Sequence, residues 1–138
     1  MAGMLDSTLS RWFTPETLAA RDHPGVEYAR NRLLTNDAQA FAAGWRALAA
    51  NDSWDRLHQI DAITTVLHAT EDASISIGVS QRMAASIPGA RMVHIRGPHI
   101  AQLEQWEAFE AATLDHLEWV DEVSAPNHVP STQAATHP

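Results

Sequence analysis

Two short apolar runs, each followed by a loop with a titratable side chain, constrain this sequence more than any other feature. The runs are Ile63–Leu67 and Met92–Ile95, and the loops after them carry Asp72 and His99. Between the runs lies a segment of helical length, Ser74–Ile87, closed by a Pro-Gly turn signal. This order predicts a strand–helix–strand crossover with two parallel strands. Functional groups in open α/β sheets lie just beyond the carboxyl ends of the strands, and both side chains occupy that position.

The first sixty residues contain no convincing strand and predict four short helices instead. Apolar residues recur at helical spacing in Leu5–Phe13, and Thr14-Pro15-Glu16 combines a cap with a proline in a first helical turn. Pro24 starts the third helix, and Asn36-Asp37 caps the fourth. Residues Trp54–Ile60 form a short helical linker to the first strand. Periodicity alone does not decide how these helices are arranged, and a small helical bundle fits it as well as any other arrangement.

After His99, apolar residues at helical spacing predict one long helix over Ala101–Val120. Residues 121–138 contain three prolines, small polar residues and no aromatic residue, which predicts a disordered tail. The chain therefore divides into a helical segment (1–60), an α/β segment (61–120) and a tail (121–138).

Composition excludes several classes of function. The net charge of −8 argues against a nucleic-acid partner, since phosphate binding requires a basic face. The absence of cysteine excludes disulfides, thiolate–zinc sites and a cysteine nucleophile. Charged residues interrupt the first twenty positions, and no apolar run approaches the roughly 18 residues of a membrane span. We therefore expect a cytoplasmic protein without a membrane partner.

A sheet of two parallel strands is a poor independent unit, because parallel sheets are normally covered on both faces and continue on at least one side. The run Ile63–Leu67 is apolar and β-branched without clean alternation, as in a strand buried on both faces. We therefore expect the open edge to pair with another copy of the chain, a different chain or a missing half.

Two motifs point to a known family. Residues 69–73, Ala-Thr-Glu-Asp-Ala, and residues 99–109, His-Ile-Ala-Gln-Leu-Glu-Gln-Trp-Glu-Ala-Phe, resemble the segments that carry the catalytic acid and histidine in the C-terminal half of the α/β-hydrolase fold. Within that fold they are most similar to the 3-oxoadipate enol-lactonase group.

The helical segment resembles the same family. Residues 10–15 look like the start of the helical cap of these lactonases, and residues 31–48 look like its continuation. The similarity runs from about residue 4 to residue 118. It implies an α/β protein with a partial α/β-hydrolase fold: a helical cap, then a parallel strand–helix–strand unit and a C-terminal helix.

The sequence departs from the family at several positions. Ala69 replaces the usual glycine, Pro98 stiffens the turn before the histidine, and Trp106 replaces a usual proline. The largest departure is the nucleophile, because no Gly-x-Ser-x-Gly elbow occurs in this chain. Gly78-Val79-Ser80 matches only its first half and lies in the predicted crossover helix.

The resemblance implies roles for several residues. Asp72 would orient the histidine, and His99 would act as general base and then general acid. In the cap, Trp12 and Trp45 could line a substrate pocket, and either Arg11 or Arg46 could hold a substrate carboxylate. The alternatives are a loop Asx turn for Asp72, a solvated histidine, packing tryptophans and a surface arginine. Neither a cofactor nor a metal is implied.

His68 and His94 lie on the two predicted strands and could be neighbours. A metal site there is conceivable, but their spacing matches no strong ligand pattern. Buried, hydrogen-bonded strand histidines are the expected outcome.

Two functions are compatible with these features. In the first, the chain is half of a serine hydrolase that acts on a small ester or lactone, and an N-terminal segment or a second chain provides the serine and the oxyanion hole. In the second, the chain is a non-catalytic binding or self-association module. An ordinary hydrolase cut into fragments would behave like the first. In each case we expect the isolated chain to lack serine-esterase activity.

Overall fold

The helical segment forms as predicted. A computed structural model describes residues 2–20 and 22–125. A 3-10 turn, Ala2–Met4, precedes four helices: α1 (Leu5–Trp12), α2 (Pro15–Ala19), α3 (Pro24–Thr35) and α4 (Ala38–Ala50). The predicted caps are present, since the Thr14 side chain accepts a hydrogen bond from Thr17 N and the Asp37 side chain accepts one from Ala40 N. A 3-10 helix, Trp54–Gln59, leads to the first strand.

The α/β segment contains a parallel pair of strands, as predicted. Its elements are β1 (Thr65–Ala69), α5 (Ile77–Ser86), β2 (Arg91–Ile95), α6 (Ala101–Glu104) and α7 (Trp106–Ser124). Strands β1 and β2 pair in register from Thr65 opposite Arg91 to Ala69 opposite Ile95. The carboxyl ends of both strands therefore lie side by side, and each is followed by one of the predicted loops.

The starts of β1 and α5 differ from the prediction by two and three residues. Strand β1 begins and ends two residues later than the predicted run Ile63–Leu67. Its bounds are set by hydrogen bonding to β2, and the sequence of β1 alone does not specify that register. Helix α5 begins at Ile77 rather than Ser74. The reason is local: the amides of Ser74 and Ile75 are taken up by the Asp72 side chain in a turn before the helix.

The predicted last helix is broken and longer than expected. Gln105, with φ −120° and ψ 49°, separates α6 from α7. Helix α7 then continues through Ser124, so the predicted tail boundary at 121 is wrong by four residues. No proline interrupts the chain until Pro126, so nothing stops the helix earlier. Residues 126–138 of the predicted tail lie outside the described residues.

The main core joins the helical segment to the α/β segment. Its buried members come from α1 to α3, and partly buried apolar residues of α6 and the loop before it pack against them. The buried residues are Leu9, Phe13, Val26, Ala29 and Leu33, and the packed residues from the second segment are Ile100 and Leu103. The helical segment is therefore built onto the loop that follows His99.

Several apolar side chains remain exposed in the described part of the chain. Trp45 and Leu48 on α4 are 52% and 62% exposed, and α4 has no buried residue. Most of the apolar stripe predicted for the last helix is also exposed, at Trp106, Phe109, Leu114 and Leu117. No helix among the described residues is long and apolar enough to cross a membrane.

Candidate active site

The loops after β1 and β2 bring the two predicted catalytic side chains together. The Nδ1 atom of His99 lies 3.0 Å from Oδ2 of Asp72. The carboxylate can only accept, so Nδ1 carries the proton and donates it, which leaves Nε2 free to accept a proton. The side chains of Asp72 and His99 are 9% and 32% exposed, so the carboxylate is sheltered and the imidazole is accessible.

Backbone hydrogen bonds continue from the strands into these loops. Thr70 N donates to Ile95 O at 2.9 Å, and Glu71 N donates to Gly97 O at 2.8 Å. The side chains of Glu71 and Arg96 form an ion pair across the same gap, at 2.8 Å. The pairing of the strands thus extends to the residues next to Asp72, which fixes its distance from the second loop.

Gly97 allows the chain to turn toward His99. Its φ is +143°, a conformation that residues with a side chain rarely adopt. A Cβ there would lie 2.9 Å from Cγ of Gln105 and 3.4 Å from Cβ of Ala101. The next residue, Pro98, is buried and fixes the backbone just before His99. The Gly-Pro turn therefore directs the histidine toward Asp72.

Asp72 acts in two ways at once, one for each carboxylate oxygen. Oδ1 accepts hydrogen bonds from Ser74 N and Ile75 N at 2.6 and 3.0 Å, which is the Asx turn. Oδ2 faces His99. Burial raises the pKa of this carboxyl, but the hydrogen bonds from His99, Ile75 and Ser74 and the His99 charge outweigh burial and lower the pKa overall. Asp72 is therefore ionised at neutral pH.

The predicted substrate-binding residues share a cleft with His99. The cleft has a volume of about 430 Å³ and contains Arg11, Trp12, Trp45 and His99. Other apolar members of its wall are Met4, Phe41, Leu48 and Ile75. The structure thus brings these residues together, and their roles in binding and catalysis stay predictions.

A second, smaller groove of about 180 Å³ contains Asp72, His99, His68 and Ser80. His68 and Ser80 are both buried, and Nδ1 of His68 lies 3.1 Å from Oγ of Ser80. This hydrogen bond ties β1 to α5. Sequence reasoning examined Ser80 only as half of a nucleophile elbow and missed this contact, although a histidine within an apolar strand requires a polar partner.

His94 neighbours His68 as expected, with ring centroids 5.9 Å apart, but it is exposed rather than buried. The side chain lies on the same face of the strand pair as His68, since the two residues are partners in the register. No group of three or more metal-ligating side chains occurs within residues 2–20 and 22–125.

A larger cleft of the described chain lies elsewhere. It has a volume of about 820 Å³ and includes neither Asp72 nor His99. Its wall includes the Glu71–Arg96 ion pair, together with Thr14 and Glu104. The smaller cleft is the better candidate for a functional site, because it contains His99, whose ring is paired with the Asp72 carboxylate.

Solved structures of hydrolases resemble this chain. A hydrolase from Pseudomonas aeruginosa PA01 is 30% identical with a TM-score of 0.78, and the match covers 85% of this chain and 44% of that chain. The enol-lactonase from Burkholderia xenovorans LB400 is 26% identical with a TM-score of 0.80, covering 86% and 45%. A thermophilic esterase from Thermogutta terrifontis is 27% identical with a TM-score of 0.76, covering 86% and 44%. No protein-family model matches the sequence.

These likenesses show that the chain has part of an α/β-hydrolase fold. The chain spans less than half the length of each of these three structures. Their names include a hydrolase, an enol-lactonase and an esterase, so the comparison supports the hydrolase fold and does not select the enol-lactonase activity.

Proposed function

We propose that this partial α/β-hydrolase fold supplies the acid and the histidine for serine-type hydrolysis of a small ester or lactone. The observation that carries the proposal is the 3.0 Å contact between Asp72 and His99 at the carboxyl ends of two paired parallel strands. The sequence contains no Gly-x-Ser-x-Gly elbow. The nucleophile and the oxyanion hole would come from a preceding segment or from a second chain.

The chemistry follows from the free Nε2 of His99. A serine Oγ attacks the carbonyl carbon of the substrate while Nε2 takes its proton, and Asp72 stabilises the resulting imidazolium. The tetrahedral adduct then collapses: the bond between the carbonyl carbon and the leaving oxygen breaks, this oxygen takes the proton of the imidazolium, and an acyl-serine remains. In the second half, Nε2 of His99 removes a proton from water as the water oxygen attacks the acyl carbon. The bond to the serine then breaks, the serine oxygen takes the proton back from His99, and the carboxylic acid is released.

The cleft at His99 supports a proposal for the class of substrate. Trp12 and Trp45 offer apolar contact area. Arg11 is the single arginine or lysine among the described residues of this wall. Nε of Arg11 donates to Ser7 O at 3.1 Å, and the rest of the guanidinium can face the cleft. A small lactone or ester with a carboxylate group fits this combination of apolar wall and single cation.

A chimera tests the proposal directly. The N-terminal half of an α/β-hydrolase, chosen to contain a Gly-x-Ser-x-Gly elbow, is fused to residues 4–125 of this chain. We expect a folded product that hydrolyses a chromogenic ester and is labelled by a fluorophosphonate probe. His99→Ala and Asp72→Asn should each lower kcat/KM by at least about 100-fold, because catalysis by a triad depends on both residues.

His94→Gln is the matched control, because His94 is exposed on β2 and lies outside both grooves at the dyad. This variant should keep the activity of the parent chimera. A folded and active chimera in which His99→Ala has no effect would contradict the proposal.

The exposed apolar side chains of α4 and α7 favour a second candidate, a non-catalytic binding or self-association module whose contact surfaces are these faces and the open sheet edge. The native mass of the purified chain distinguishes the two. A complex with an unlike chain that contains a Gly-x-Ser-x-Gly elbow supports the hydrolase. A homo-oligomer or a monomer supports the module.

A further inference from the structure

From the contacts around the loop after β2, we infer that Glu104 and Thr14 are positioning residues for His99. This inference rests on the proposed function. It holds that the helical segment fixes the histidine against Asp72, in addition to covering the cleft. Glu104 contacts neither Asp72 nor His99 among the hydrogen bonds of the described chain, so its effect would be transmitted through the backbone of residues 99–104.

The Glu104 carboxylate binds the start of α2 with both oxygens. Oε2 accepts from Thr14 N at 3.0 Å, and Oε1 accepts from Thr14 Oγ1 at 2.7 Å. Both bonds are partly buried, and both involve an ionised acceptor, which makes such bonds shorter and stronger than neutral ones. Thr14 Oγ1 also accepts from Thr17 N, so the same hydroxyl caps α2. We call this pair of bonds the Thr14–Glu104 latch.

A third bond reaches the residue next to the histidine. Ile100 N donates to Trp12 O at 3.3 Å, at the end of α1. The segment after His99 is therefore held at both ends by residues 12–14 of the helical segment. Trp12 also lines the cleft that contains His99. Trp12 therefore borders this cleft and also binds the loop after His99 through its carbonyl.

Apolar packing makes this segment stiff. Ile100 and Leu103 pack on the core of α1 to α3, and the carbonyl of Leu103 lies so close to Gly25 that a Cβ there would clash with it. Between the bonds lies only the single turn α6, closed by Gln105 N donating to Ala101 O. The segment between Glu104 and His99 is short and packed, so it has little freedom to absorb a displacement of Glu104. Such a displacement would therefore move His99.

The experiment measures the hydrogen bond between Asp72 and His99 in the chain itself and requires no nucleophile. Carbon-13 NMR follows the titration of the Asp72 carboxyl, and proton NMR follows the downfield Nδ1–H signal of His99, assigned with His99→Ala. Loss of the latch in Glu104→Ala should loosen the hydrogen bond from His99 that lowers the pKa of Asp72. We expect the proton affinity of the carboxyl to rise about threefold, and the downfield signal to broaden or vanish.

Three matched variants separate positioning from general loosening. Glu107→Ala removes an exposed glutamate on the next turn and should behave like the wild type. Thr14→Ser keeps the hydroxyl and the amide and should also keep both signals. Asp115→Ala removes the ion pair with Arg91, which anchors α7 at the other end of the strands, and should lower stability without changing the Asp72 titration.

The outcomes are distinct. A folded Glu104→Ala variant with unchanged Asp72 titration and unchanged Nδ1–H signal overturns the positioning role and leaves the proposed function standing. An equal change in Asp115→Ala also overturns it, since the effect would then be general loosening. If His99→Ala leaves the wild-type Asp72 titration unchanged, there is no dyad and the proposed function fails as well. Should Glu104→Ala not fold, Glu104→Asp retains the charge, shortens the reach and serves the same comparison.

Discussion

At the scale of residues, Asp72 shows how one carboxylate can hold a loop turn and a histidine at the same time. Its two oxygens have separate partners, so the Asx turn with Ser74 and Ile75 does not compete with the contact to His99. The turn instead fixes the orientation of the carboxylate. The same hydrogen bonds lower its pKa, which makes the stability of the protein depend on pH.

Asp72→Asn is expected to destabilise the protein most at neutral pH. The native pKa of Asp72 is lower than that of the unfolded chain, so the ionised carboxylate stabilises the fold above the unfolded pKa. This stabilisation is lost as pH falls through the native pKa. The difference in unfolding free energy between wild type and Asp72→Asn should therefore shrink between pH 6 and pH 3, as measured by urea unfolding. A constant difference, or the same trend in the exposed Asp121→Asn control, contradicts this origin.

The two glycines with positive φ should respond differently to substitution. Gly97 has φ +143° and crowded surroundings, whereas Gly89 has φ +68° and open space where a Cβ would lie. Gly97→Ala should cost about 2 kcal/mol of stability and Gly89→Ala about 1 kcal/mol, because only the second conformation is tolerated by other residues. Urea unfolding measures both. Only Gly97→Ala should also disturb the NMR signal of His99, and equal costs at the two sites would refute this account.

At the scale of elements, the helices of the first sixty residues differ in how they are held. Helices α1 and α3 bury one face in the main core, while α4 has no buried residue and meets the rest through partly buried Phe41. Helix α4 therefore buries less of its apolar face in the main core than α1 or α3 does.

A pair of leucine substitutions tests this difference. Leu9 is 1% exposed in the core, and Leu48 on α4 is 62% exposed. Leu9→Ala should cost about 3 kcal/mol through lost burial and a residual cavity, and Leu48→Ala less than about 0.5 kcal/mol. Thermal or urea unfolding of the isolated chain gives both values. A large cost at Leu48 would mean that α4 is covered by another molecule in solution.

Local sequence signals predicted the elements well where a residue acts on its near neighbours. The caps at Thr14 and Asp37, the parallel strand pair and the positions of Asp72 and His99 at the strand ends all follow from such signals. The predictions failed where distant partners decide the outcome. The register of β1 depends on β2, and the break at Gln105 accompanies packing against the helical core.

The contacts that sequence reasoning missed are those between distant residues with side chains common in any loop or helix. Glu104 lies in a run of helix-forming residues, and nothing near it in sequence indicates that Thr14 is its partner. Ser80 resembles any helix serine until β1 places His68 beside it. Such pairings require the three-dimensional arrangement.

At the scale of the whole molecule, the described chain leaves apolar surface and a sheet edge without a partner. The sheet has two strands, and β1 pairs only with β2 among the described residues. Exposed side chains on α7 include Trp106, Leu114 and Leu117, each more than half exposed. This surface is consistent with a chain that covers less than half of the hydrolases it resembles.

The isolated chain should not be labelled by a fluorophosphonate probe. Among the described residues, the His99 ring hydrogen-bonds Asp72 and no serine. Ser80 is buried and hydrogen-bonded to His68. A serine without a base and an oxyanion hole reacts too slowly to label. Gel fluorescence after probe treatment gives the answer, with the chimera as the positive control. Labelling that disappears in Ser76→Ala or Ser80→Ala would show a nucleophile within this chain.

The Thr14–Glu104 latch joins residues 90 positions apart, and the core of α1 to α3 is completed by Ile100 and Leu103. On the ribosome, the helical segment emerges before the histidine loop, so its core cannot close until that loop has followed. At about 5–20 residues per second, that delay lasts several seconds. The order of synthesis thus leaves this core open until Ile100 and Leu103 arrive, and during the delay its apolar faces are available to chaperones.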